Sequence, residues 1–150
     1  NVIYIQSEDS LEDFVEEMTD LVEDRKEECA QRRGKMAAKE FYHTLEKYCV
    51  VINGIEDFVQ FSKDKSEIIQ LLLSAAETGI LIILTGNSAR IPARNETAKL
   101  VKASESGLIL GETGINTPFP TFRGKELPGR VDDGLLFRKG VGVMLRIPKA

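Results

Sequence analysis

The residues best placed to do chemistry follow one apolar run: Val50-Val51-Ile52, then Asn53-Gly54-Ile55-Glu56-Asp57-Phe58. An acid at the end of a buried strand is where phosphoryl-transfer sites hold magnesium through water, and a neighbouring acidic or polar group aligns the attacking water. Here the strand-end residue is Asn53 and the next is Gly54. An amide can accept a hydrogen bond from a metal-bound water but carries no charge, and glycine supplies no base. The same two residues also make a good strand-to-helix turn, and that plainer reading stands beside the chemical one. Such chemistry needs a second part, a glycine-rich loop that cradles phosphates on backbone N–H groups and adds a lysine. Two Gly-Lys pairs occur, Gly34-Lys35 and Gly124-Lys125. Neither has a glycine five positions earlier, and they are followed by Met36 and Glu126 rather than Ser or Thr. The phosphate-loop pattern is therefore absent from this chain.

Other reactive groups read as structural. His43, the one histidine, sits among Phe41, Tyr42 and Leu45 with no serine or cysteine partner indicated. Glu56 and Asp57 are adjacent, and neighbours on a helix diverge by about 100°. They read as capping or surface acids rather than as an acid–base pair. The two cysteines, Cys29 and Cys49, have no metal-ligand spacing and no CxxC relation. They read as reduced thiols, with Cys49 expected as a small buried hydrophobe opening its strand. Phe119 and Phe122, flanked by Pro118 and Pro120, form either a partner-binding loop or a pair of pins holding a loop to the domain.

These groups must be positioned by alternating strands and helices. Apolar runs at Val2–Ile5, Cys49–Ile52, Ile80–Leu84 and Leu108–Leu110 read as strands. The unbroken run Ile80-Leu81-Ile82-Ile83-Leu84 suits a central strand covered by helices on both faces. Leu11, Phe14, Val15, Met18, Leu21 and Val22 make one helical stripe, with Ser10 as the expected N-cap and Arg32-Arg33-Gly34-Lys35 as the expected end. The opposite, acidic face (Glu16, Glu17, Asp20, Glu23, Asp24) is of the kind usually left to solvent. A second helix is expected over Lys65–Thr78, stopping at Gly79, and a short one over Glu96–Ser104. Prolines at 92, 118, 120, 128 and 148 mark the last third, with an irregular excursion at Asn116–Gly134 before a terminal strand Val141–Ile147. The reading is an α/β domain with a largely parallel sheet.

A chain of 150 residues is long enough for one core, and residues 1–150 read as a single domain. The opening Asn1-Val2-Ile3-Tyr4-Ile5 reads as a strand already under way, as expected of a piece of a longer polypeptide. The formal net charge of −4 argues against gripping a phosphate backbone as the main task, so nucleic acid is not the expected partner. No apolar run reaches the roughly 18 residues of a membrane span.

Val50 to Phe58, together with Ala75-Ala76-Glu77-Thr78-Gly79-Ile80-Leu81-Ile82-Ile83-Leu84-Thr85-Gly86-Asn87, resembles the FtsK/SpoIIIE ATPase family. In that pattern Asn53 falls on the magnesium-binding Asp and Gly54 on the catalytic Glu. Asp57 matches an acid three positions later, and Gly86 and Asn87 fall on the Thr-Gln sensor pair. The long helix, ending near Arg25-Lys26, resembles the segment preceding the acidic strand in that family. Leu127-Pro128-Gly129-Arg130 is similar to the tail of EssC/YukB-type coupling ATPases of type VII secretion. The resemblance covers roughly Val2 to Pro148. It implies a RecA-like, three-layer P-loop NTPase fold and a degenerate third ATPase-like domain without catalytic residues. It also implies secreted helical proteins and neighbouring ATPase domains as partners, and a hexameric parent anchored at the cytoplasmic face of the membrane. ATP and magnesium would belong to that parent.

Overall fold

A computed structural model describes residues 8–32, 36–61, 65–87, 90–91, 96–111 and 130–146. The expected strand Val2–Ile5, the stretch Arg33-Gly34-Lys35 and most of the Asn116–Gly134 excursion lie outside the described residues. Five helices and five strands occur among them: α1 (Glu8–Gln31), α2 (Ala38–Thr44), β1 (Cys49–Asn53), α3 (Ile55–Phe61), α4 (Lys65–Glu77), β2 (Leu81–Thr85), α5 (Glu96–Ala103), β3 (Ser106–Leu110), β4 (Asp133–Arg138) and β5 (Val141–Arg146). The chain divides into two compact units, Asn1–Gly86 and Asn87–Ala150.

In the first unit β1 and β2 pair in parallel, Val51 opposite Ile83 and Asn53 opposite Thr85, with α3 and α4 between them in sequence. This is the expected strand pair and helical crossover. Residues of even number on both strands face the helices. Val50 and Ile82 pack on the cluster of Met18, Val22, Ala75 and Ile80, which joins α1 and α4 to the sheet. Residues of odd number face outward, and Val51, Leu81 and Ile83 are 60%, 57% and 41% exposed. The expectation of a central strand covered on both faces is therefore corrected, because α1 and α4 pack on the same side. Cys49 shares the open face and is exposed rather than buried.

Helix α1 also begins earlier than expected. Ser10 lies inside it rather than capping it, because the helix already runs from Glu8. Its buried line is Leu11, Met18, Val22 and Arg25. Arg25 is 4% exposed. Its guanidinium donates to the Thr78 carbonyl at 2.9 Å and to the Glu46 carbonyl at 2.6 Å, and lies 5.3 Å from the centre of the Tyr48 ring. Thr78 closes α4: the Gly79 amide donates to Ala76 O and the Ile80 amide to Ala75 O, at 3.2 and 3.1 Å. That is a Schellman ending, and the glycine is required twice over. Gly79 has φ +82°, and a Cβ there would lie 2.9 Å from the Cβ of Tyr42.

The second unit holds an antiparallel sheet in the order β3-β4-β5. A largely parallel sheet is thus not what the described strands form, since only β1 and β2 run parallel. Asp133 and Gly134, expected in the irregular excursion, open β4. The turn between β4 and β5 is two residues, Lys139 and Gly140, with φ of 48° and 80°. Positive φ at both positions matches the right-handed twist of the strands it joins. Gly107 stands opposite Phe137, and a Cβ at 107 would meet the ring at 2.7 Å. The glycine makes room for that buried ring.

Replacing Arg25 by Met keeps the aliphatic stem but leaves the carbonyls of Thr78 and Glu46 without their charged donor. Hydrogen bonds to charged groups are worth about 1.5–3 kcal/mol each, and Met is spared the cost of burying a guanidinium, so the expected net loss of stability for the two bonds is about 2–4 kcal/mol. Urea unfolding of R25M against the parent chain measures it. A change below about 0.5 kcal/mol would refute the assigned role.

Candidate functional site

Parallel strands expose their carboxyl ends on one edge, the usual place for ligands in open α/β sheets. In the first unit that edge is made by Asn53 on β1 and Thr85 on β2, each followed by a glycine. The two side chains are joined, the Thr85 hydroxyl donating to Asn53 Oδ1 at 2.5 Å. The Gly54 amide donates to the Thr85 carbonyl at 3.1 Å, with the Thr85 hydroxyl oxygen 3.4 Å away. The strand ends are stitched together by main chain and side chain alike.

Gly54 then starts α3. Its carbonyl accepts from the amides of Asp57 and Phe58 at 2.9 and 3.1 Å. Its φ is +75°, a left-handed conformation that costs a residue with a Cβ roughly 1–2 kcal/mol. The position that resembles a catalytic acid is therefore held in a backbone shape suited to glycine. Asp57 is exposed, and its Oδ2 would lie 3.7 Å from a Cβ placed on Gly54.

Gly86 follows Thr85 and passes close over the first turn of α3. A Cβ on Gly86 would lie 2.3 Å from Glu56 Oε2 and 2.8 Å from Ile55 Cγ2. Ile55 is buried, and so is that oxygen of Glu56. Sequence reasoning set Glu56 aside as a surface or capping acid, but its carboxylate is tucked beneath the end of β2. The available signal is Gly86 itself, since a glycine at the end of a strand marks a place where another part of the chain can approach closely. Thr85 lies just past the apolar run Ile80–Leu84 and has no expected role of its own, yet it ends β2 and is the residue in register with Asn53.

The structure thus brings together Asn53, Gly54, Asp57 and Gly86, and adds Thr85 and Glu56. Asn87 opens the second unit, where its carbonyl accepts from the Arg90 amide at 3.0 Å. Phe119 and Phe122 lie outside the described residues. Magnesium is held best by charged carboxylate oxygens. At the strand ends the available oxygen is a neutral amide that already accepts a hydroxyl, so these residues fit the ion poorly. Among the described residues no group of three or more His, Cys, Asp or Glu side chains could hold a metal ion. No helix among them is long and apolar enough to cross a membrane.

No protein-family model and no curated protein sequence matches the chain. Solved structures do. One is the cytoplasmic domain of EssC, with a TM-score of 0.68 and 17% identity over 97% of this chain. Another is EssC ATPases 2 and 3 from Geobacillus thermodenitrificans, with a TM-score of 0.62 and 16% identity over 99% of this chain. The chain spans 29% and 27% of the length of those two solved chains. In fold the chain is similar to part of each of these, a mixed α/β structure with a small parallel sheet and an antiparallel one.

Two substitutions test the stitched edge. Thr85→Val removes the hydroxyl that Asn53 accepts, with an expected cost of about 0.5–1.5 kcal/mol in chemical unfolding. Gly86→Ala must displace both the Glu56 carboxylate and the buried Ile55, with an expected cost of about 1–3 kcal/mol. If G86A is as stable as the parent, the close approach is not a constraint.

Proposed function

We propose that this chain is a non-hydrolytic module of a membrane-anchored type VII secretion motor, retained for contact with other proteins. The two units are read as parts of one degenerate, RecA-like ATPase domain. The observation that carries the reading is Gly54: its φ of +75° puts the position of the expected catalytic acid in a glycine backbone shape. Asn53 beside it is neutral and tied to Thr85. Each electrostatic element of a phosphoryl-transfer site typically contributes about 100-fold or more in rate. With a phosphate loop, a strand-end acid and a base all missing from the sequence, little catalysis is left.

The likeness to EssC supports placing the chain in a multi-domain ATPase polypeptide, which makes neighbouring ATPase domains one class of partner. Secreted helical substrates are the other. The parent would work as a hexamer at the cytoplasmic face of the membrane, where its remaining domains would use ATP and magnesium. The core is complete enough to keep a fold without a catalytic site, as the buried set Met18, Val22, Ala75 and Ile80 illustrates. Fold and chemistry are separable properties, and binding is a common task for a fold that has lost its chemistry.

The purified chain is expected to show no ATP turnover above background, measured as phosphate release with magnesium present. The double substitution Asn53→Asp with Gly54→Glu should not produce turnover either, because the second change strains the backbone without supplying a phosphate loop. Turnover by the unaltered chain, abolished by a point change within it, would overturn the proposal in favour of a live ATPase. Binding is tested separately by calorimetric titration against small helical secreted proteins and against neighbouring ATPase domains, with duplex DNA as comparison. Micromolar or tighter affinity for protein and none for DNA is expected. Salt-dependent DNA binding with no affinity for protein would point to a DNA translocase instead.

A further inference from the structure

We draw no further inference here: the strongest candidate, the open apolar face of the β3-β4-β5 sheet on which Leu108, Leu136 and Val143 align across the three strands, carries nothing because nothing in the structure shows what covers it.

Discussion

The first unit depends on one buried cation. Arg25 leaves water to meet two main-chain carbonyls, and each belongs to a different part of the chain: Thr78 at the end of α4 and Glu46 in the approach to β1. A guanidinium suits this task because its fork of N–H groups reaches two acceptors at once and it remains charged when buried. The negative end of the α4 dipole adds to the attraction. A hydrophobic residue in its place would pack but would fix neither direction nor spacing. The Tyr48 ring closes over the guanidinium and keeps it from solvent. In this way α1 is tied to the last turn of the helix that delivers β2 and to the loop that delivers β1.

From that anchor the edge chemistry follows. Once β1 and β2 are brought side by side in parallel, their last residues, Asn53 and Thr85, are placed opposite one another. An acid at position 53 would present charge to solvent there. The amide instead accepts the threonine hydroxyl, and the following glycines let the chain turn away tightly. The site is an edge sealed by short polar contacts, with Glu56 folded beneath it.

Much of this architecture was legible in the residues. The stripe of α1, the span of α4 with its glycine stop, and the parallel partnership of β1 and β2 all follow from spacing and composition. What was not legible has physical causes. The unbroken apolar run Ile80–Leu84 suits burial on both faces, but periodicity reports what a strand can bury, not how many layers are present. The β4–β5 hairpin escaped notice because its turn is Lys139-Gly140, without the asparagine or aspartate that usually announces two positive φ angles. Gly134 has a different cause: a glycine inside a strand weakens the strand signal. At the site, Asn53 and Gly54 stood out because a family pattern asks for acids there. Thr85 and Glu56 did not, since their contacts depend on strand register and on how close a backbone passes to a helix.

The close approach at Gly86 bears on how sequence change at this edge can proceed. Any side chain introduced at that position meets Glu56 and Ile55 before it meets solvent. A side chain at 86 therefore has to displace the Glu56 carboxylate, the far end of a flexible side chain, and has to be accommodated by Ile55 as well. Positions 55, 56 and 86 are coupled in this way, so what a side chain at 86 costs depends on what stands at the other two.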